Sequence, residues 1–120
     1  MRKLKMKREK YKVLLADRAD KMLLKHTEFL ARVSLVAARR LLVGFKKVTN
    51  FLAENPLQFP FVDELDVPGI PLKTYRKCLF SERYKAIYLI EGNEVYIDAI
   101  IDTRQENREL YRSKVCASDF

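Results

Sequence analysis

Three short apolar runs, rich in β-branched and aromatic side chains, lie in the second half of the chain. They span residues 75–80, 84–90 and 95–102, and only the polar stretches 81–83 and 91–94 separate them. Such spacing predicts three antiparallel strands joined as a meander. In the second turn, Gly92 has no Cβ to clash at positive φ, and Asn93 tolerates positive φ better than most residues. The second hairpin is therefore the most strongly predicted element.

The middle run carries apolar residues at both alternations. One face holds Tyr84, Ala86, Tyr88 and Ile90, and the other holds Lys85, Ile87 and Leu89. A strand with two apolar faces is typical of the centre of a sheet, where it is covered on both sides. We therefore expect residues 84–90 to form the central strand of the meander.

Helical periodicity occupies the first half of the chain. From Asp17 to Val33 apolar residues recur three and four positions apart, and a second such pattern follows Ser34 as far as Leu52. Ser34 is a good N-cap for the second helix, and Asn55 precedes a proline, which disfavours helical backbone and ends that helix. These features predict a helical hairpin whose apolar stripe covers the meander.

The short apolar segment 11–15 ends at an Ala-Asp pair, which is typical of a strand followed by a helix start. It is a candidate fourth strand. The whole pattern predicts an α+β fold in which an N-terminal strand and a helical hairpin pack on an antiparallel β-meander. We expect a basic arm at residues 1–10 and a single domain at 11–120, since 120 residues can bury one modest core.

Composition adds a strong positive charge. The formal net charge is +8 and the isoelectric point is near 9.6, which favours nucleic acid, an acidic protein segment or an anionic membrane surface as partner without choosing among them. The basic arm serves either solubility or a contact with such a partner. No apolar run approaches the roughly 18–20 residues that span a bilayer, and no signal-peptide core is present, so we expect a cytoplasmic protein.

Cysteine and histidine chemistry is sparse. Cys78 and Cys116 lie far apart in no metal-ligand spacing, and His26 is the single histidine, so neither a metal nor another cofactor is expected. Cys78 falls in a predicted strand, where it acts as a small hydrophobe rather than as a nucleophile. His26 lies on the apolar stripe of the first helix, where we expect an imidazole at the core edge without a catalytic role.

Two cations of the meander suggest a candidate anion site. If Phe80 pairs with Arg83 across the first turn, then Arg76, Cys78 and Lys85 project from one face of the sheet. The alternative is structural: Lys85 reaches water from a strand end, and Arg76 is an edge charge that discourages pairing with another chain. Residue pattern leaves both interpretations open.

The order of these segments resembles the RelE/ParE superfamily of bacterial toxins. A strand, a helical hairpin ending FLAENP, a proline-containing loop, a meander containing RYKAIYLIEGNEVYIDAI and a closing DTRQENRELY carry the resemblance, which covers residues 11–111. It implies a RelE/ParE-like fold with a short C-terminal helix. It also implies a growth-arresting, plasmid-stabilising toxin that is neutralised by an acidic antitoxin encoded beside it.

The resemblance further implies candidate catalytic residues. RelE-type members cut mRNA on the ribosome, and an ungapped overlay on their strands sets Arg76 and Cys78 at two catalytic lysine positions and Lys85 at a catalytic arginine position. Arg104 matches the arginine after the last strand, and Tyr111 approximates the tyrosine of the closing helix. Arg76, Lys85, Arg104 and Tyr111 are thus the predicted catalytic residues. The three cations would stabilise charge on the phosphorane during attack by the 2′-hydroxyl.

Two other functions remain open at the level of sequence. ParE-type members of the superfamily poison DNA gyrase and lack the nuclease residues, and the long helices and the Asn-Pro junction of this chain are more similar to that type. A third interpretation is a basic binding module that captures an acidic antitoxin or nucleic acid without being toxic. The resemblance therefore implies DNA gyrase, the ribosome with its mRNA, or the antitoxin alone as partner.

Overall fold

The computed structural model describes residues 10–62 and 73–104 of the chain. Strand β1 spans Lys12–Leu15, helix α1 spans Asp17–Val33 and helix α2 spans Leu35–Glu54. A short 3-10 helix, Pro56–Gln58, follows α2, and the second half contains the strands β2 (Arg76–Phe80), β3 (Tyr84–Glu91) and β4 (Glu94–Asp102). The three strands predicted for the meander are confirmed to within one residue at each end. The predicted C-terminal helix lies outside the described residues, as does the basic arm apart from Lys10.

Ser34 joins the two helices and caps both of them. Its Oγ accepts a hydrogen bond from the N–H of Ala37 (3.2 Å), and its own N–H donates to the carbonyl of Leu30 (2.7 Å). The Ser34 backbone is extended, with φ −160° and ψ 121°, so the chain reverses at this residue. Helix α2 ends at Glu54 because the residue before a proline avoids helical backbone. Both predicted helix boundaries are confirmed. Within the described ranges, neither helix is long and apolar enough to cross a membrane.

The four strands form one sheet in the order β1-β4-β3-β2. Strands β2, β3 and β4 are the antiparallel meander, and β1 lies parallel to β4 along its other edge. The candidate strand at 11–15 is therefore the fourth strand of the sheet. In the turn between β3 and β4, Gly92 has a φ of 63°, a conformation in which a side chain would be strained. The sequence predicted this turn.

The main core lies between the helical hairpin and one face of the sheet. Leu41 and Leu52 of α2 are buried there together with Tyr84 and Tyr88 of β3. A smaller cluster that includes Ile87 covers the opposite face. Residues 84–88 are all buried, so the prediction of a central strand covered on both sides is confirmed.

The segment after α2 is fastened to the sheet by hydrogen bonds. The hydroxyl of Tyr88 donates to the carbonyl of Pro56 at 2.6 Å, and burial raises the pKa of Tyr88, so the phenol keeps its proton. Further on, the N–H of Val62 donates to the carbonyl of Tyr75 (2.8 Å), and the N–H of Lys77 donates to the carbonyl of Pro60 (3.0 Å). Residues 60–62 therefore run along the outer edge of β2, where they determine the surroundings of Arg76.

Candidate functional site

Arg76, the first residue of β2, binds the segment that follows α2. Its Nη1 donates to the carbonyl of Phe59 at 2.7 Å and reaches that of Leu57 at 3.4 Å. Its guanidinium carbon lies 4.0 Å from the centroid of the Phe61 ring, which is a cation–π contact. These contacts hold residues 57–61 against the edge of the sheet.

Lys85 lies on the opposite face of the sheet from Arg76. Phe80 pairs with Tyr84 rather than with Arg83, so the turn between β2 and β3 holds three residues, 81–83. The prediction that Arg76, Cys78 and Lys85 project from one face is wrong. A shift of one residue in register moves every side chain of a strand to the other face.

Lys85 is also buried, with 5% of its surface exposed. It pairs with Leu79 of β2 and with Ile101 of β4, in the interior of the sheet. The structural interpretation expected Lys85 to reach water from a strand end. That expectation is wrong, because so little of the side chain is exposed. Lys85 is therefore part of the packed face that Ile87 also occupies.

A polar cluster lies where β3 begins and β4 ends. Asp102, which is 4% exposed, places Oδ2 at 2.6 Å from Nη2 of Arg83, and its Oδ1 accepts a hydrogen bond from the backbone N–H of Arg104 at 3.0 Å. Burial by itself would raise the pKa of Asp102, but the hydrogen bonds from Arg83 and from the Arg104 backbone outweigh it, and the pKa is lowered. Asp102 is thus ionised at neutral pH and fixes the guanidinium of Arg83.

The backbone of Arg83 is held from the same side. Its carbonyl accepts hydrogen bonds from both the N–H of Thr103 (2.7 Å) and the Thr103 hydroxyl (2.8 Å). Together with the ion pair to Asp102, these bonds tie the last residue of the β2–β3 turn to the end of β4.

The three predicted catalytic cations do not meet in one patch. Arg76 pairs with Tyr88, three positions along β3 from Lys85, which is a separation of about 10 Å along the strand. Arg104 is exposed just after β4, at the end of the sheet nearer to Lys85. Tyr111 lies outside the described residues. The catalytic role of these four residues stays a prediction.

A groove of about 700 Å³ lies between α2 and the turn formed by residues 81–83. We call it the α2 groove. Apolar side chains line its base, among them Leu30 of α1 and the buried Leu41 and Tyr84. Val36 and Val43 line it as well, and they remain 56% and 51% exposed. The α2 groove therefore offers an uncovered apolar surface to a partner.

Cations surround this apolar surface. Arg39, Arg40 and Lys47 of α2 are exposed along the groove, and Arg83 contributes from the turn. Among the described residues that line the groove, Glu82 is the one acidic residue. An apolar base with a cationic rim is complementary to an acidic amphipathic segment.

The residue pattern of the sequence does not identify the residues of this groove. Arg39 and Arg40 interrupt the apolar pattern of α2, which is a local signal of a solvent-facing charged strip, but their proximity to the β2–β3 turn depends on tertiary packing. Asp102 also carried a signal, since it is a carboxylate that directly follows the apolar residues 99–101 of β4. Its partner Arg83 lies 19 residues away in the sequence.

Cys78 lies in the core, and His26 lies at the edge of the core. Cys78 is 4% exposed, and burial raises the pKa of its thiol to about 11, so the thiol is protonated at neutral pH. Nε2 of His26 lies 2.9 Å from the carbonyl of Ile100, at the edge of the core as predicted. No group of three His, Cys, Asp or Glu within residues 10–62 and 73–104 could hold a metal ion.

A solved structure shares this arrangement of elements. The structure described as "Chromosomal ParDE TA system from P. aeruginosa" superimposes with a TM-score of 0.54 at 16% sequence identity, covering 78% of this chain and 97% of that chain. At this identity the likeness shows the fold. Two helices packed on a four-stranded mixed sheet make this an α+β fold that is consistent with the RelE/ParE fold.

The sequence itself identifies the family. The family model described as "ParE toxin of type II toxin-antitoxin system, parDE" matches residues 13–107. The chain therefore belongs to the ParE toxin family, and the resemblance to the RelE/ParE superfamily is confirmed. No curated protein sequence matches the chain.

Proposed function

We propose that this chain arrests growth as the toxin of a type II toxin–antitoxin module, and that it acts on DNA gyrase rather than by cutting mRNA. The observation that supports this choice is the separation of Arg76 from Lys85 on opposite faces of the sheet. Cleavage of RNA by its own 2′-hydroxyl needs a base, an acid and charge stabilisation around a single phosphate. Cations that point away from one another do not supply that arrangement.

The surroundings of the candidate nuclease residues support the same choice. Nη1 of Arg76 donates to the carbonyl of Phe59, and Lys85 is almost fully buried. Cys78 stands where RelE-type toxins have a lysine, and its pKa of about 11 leaves it a neutral thiol on the helix-facing side. Cys78 and Lys85 are buried and Arg76 is half-buried, which disfavours each of them as the base for RNA cleavage.

Induced expression in a bacterial host tests the proposal. We expect growth arrest accompanied by DNA breaks and an SOS response, without ribosome-dependent mRNA cuts. Lys85→Met and Arg104→Ala should keep full toxicity provided that each variant melts cooperatively; methionine retains the buried stem of Lys85. Lys46→Ala, an exposed residue of α2 outside the groove, is the matched control.

Two results would contradict the proposal. A fall in toxicity of about 100-fold or more for folded Lys85→Met or Arg104→Ala, together with loss of mRNA cuts, is what removal of a transition-state charge produces. That result would establish the nuclease mechanism. Absence of growth arrest on expression of the wild-type chain would leave only a binding module.

The partner within this proposal is an acidic antitoxin, and its binding segment occupies the α2 groove. The exposed Val36 and Val43 provide apolar contacts, and Arg40 and Lys47 provide the opposite charge. Arg40→Glu and Lys47→Glu should each weaken binding of the antitoxin encoded beside this gene by about tenfold or more, since charge reversal places like charges together. Lys46→Glu should change it much less. Unchanged binding by both groove variants would move the antitoxin to another surface.

A further inference from the structure

The turn between β2 and β3 adopts a backbone that its residues disfavour. Ser81 has a φ of 49° and Glu82 a φ of 65°, both in the left-handed region, and neither is glycine. A Cβ in this region crowds the backbone, so the conformation persists only where the surrounding structure holds it. Such positions are enriched at sites that bind or switch.

The turn is held from two sides. On the helix side, α2 approaches so closely that a Cβ added at Gly44 would lie 2.0 Å from Oγ of Ser81, and that Oγ also reaches the carbonyl of Arg40 at 3.5 Å. On the sheet side, Asp102 and Thr103 bind the side chain and the carbonyl of Arg83. Glu82 lies between these two attachments, so its side chain projects from a fixed point on the rim of the α2 groove.

The charge of Glu82 opposes the charge of its surroundings. Among the described residues, the rim of the groove carries the cations Arg39, Arg40, Lys47 and Arg83. Glu82 is exposed among them. The neighbouring Arg83 takes Asp102, and not Glu82, as its ion-pair partner. A groove that only had to attract an acidic segment would gain nothing from a carboxylate at this point.

We propose that Glu82 is a specificity determinant of the α2 groove. The inference rests on the proposed function, in which an acidic antitoxin segment occupies this groove. In that segment, the side chain that lies over the turn is a lysine or arginine. Glu82 attracts this one cation and repels segments that are acidic throughout, which is how a repulsive charge selects one partner from several similar ones.

A charge reversal separates this proposal from general electrostatic attraction by the sign of its effect. Glu82→Lys makes the chain more positive, so attraction alone predicts tighter binding of an acidic antitoxin. The proposal predicts that the antitoxin encoded beside this gene binds about tenfold more weakly or worse to Glu82→Lys, because its cation then faces a lysine. Glutamate and lysine both carry a Cβ, so the substitution does not change how strongly the residue disfavours the positive φ of this turn. Glu54→Lys, which alters an exposed acid at the end of α2 away from the groove, is the matched control and should not weaken binding.

Rescue identifies the facing residue. Each lysine and arginine of the antitoxin segment is changed to glutamate in turn, and we expect one such change to restore affinity for Glu82→Lys while weakening affinity for the wild-type chain. Equal or tighter binding by Glu82→Lys overturns the inference, as does the absence of any rescuing change. If Arg40→Glu and Lys47→Glu also leave binding unchanged, the groove itself is not the antitoxin site. If those two variants weaken binding, the groove stands and only the role of Glu82 fails.

Discussion

Asp102 forms the partly buried ion pair that joins the end of β4 to Arg83, the last residue of the β2–β3 turn. Its carboxylate receives Arg83 at 2.6 Å and the backbone N–H of Arg104 at 3.0 Å, and it is almost fully buried. Asp102→Asn keeps the shape but removes the charge, and it leaves the guanidinium of Arg83 without its anion. We expect the free energy of unfolding to fall by about 1–3 kcal/mol at neutral pH. Asp98→Asn, a partly exposed position on the same strand, should change it by about 0.5 kcal/mol or less.

The same residue gives a pH dependence with a defined sign. The pKa of Asp102 is lower in the folded protein than its usual value of about 3.9. A depressed folded pKa contributes stability that is fully present above the unfolded pKa and is lost as the pH falls through the folded pKa. The stability difference between the wild type and Asp102→Asn should therefore be constant down to about pH 5 and shrink below it. Urea unfolding at a series of pH values measures this difference, and a gap that persists undiminished at the lowest pH contradicts the account.

At the scale of elements, the contact between α2 and the β2–β3 turn depends on Gly44. A Cβ there would meet Oγ of Ser81 at 2.0 Å. Gly44→Ala should gain about 0.5–1 kcal/mol of helix preference in a Ser81→Gly background, where the hydroxyl is absent, and gain less or lose stability in the wild type. Thermal or urea unfolding of the four proteins gives the coupling energy. As a control, Asn50→Ala, at an exposed position of the same helix, should change stability by the same amount in both backgrounds. If Gly44→Ala also changes stability equally in the two backgrounds, the helix and the turn are not in contact.

The two connections of the meander show how differently local and tertiary forces act on an element. The β3–β4 turn was predicted because Gly92 meets the local need for positive φ. The β2–β3 turn takes positive φ at Ser81 and Glu82 without any such residue, because α2 and Asp102 hold it in place. Its length and register followed from these contacts and not from the turn residues.

At the scale of the whole molecule, the net charge of +8 governs the approach of an acidic partner. The association rate constant with the antitoxin should fall steeply, by about tenfold or more, between low and high salt, while the dissociation rate constant changes much less. Stopped-flow mixing over a salt series measures both constants. Lys47→Gln, in the groove, should reduce the association rate more than Lys12→Gln on the opposite edge of the sheet. An association rate constant that is the same at low and high salt would contradict charge steering.

Several features of this protein follow local rules and could be read from the order of its residues. The periods of the apolar residues placed the helices and strands, Ser34 and the Asn-Pro pair set the ends of α2, and Gly92 set a turn. Each of these features depends on the conformational preference of a few neighbouring residues, so the chain order carries it. The superfamily followed from the same order of elements, and the match to the ParE toxin family agrees with it.

Which side chains come into contact depends instead on the packing of the elements against one another. Both alternating faces of β3 are mostly apolar, so the pattern could not choose between two registers. The observed register differs from the predicted one by one residue, and it puts Lys85 on the opposite face of the sheet from Arg76. The carbonyls that bind Arg76 come from 17 and 19 residues earlier in the chain, and the α2 groove exists because α2 packs against the turn at Gly44. Contacts of this kind depend on how buried surfaces fit together in three dimensions, and no local propensity encodes that fit.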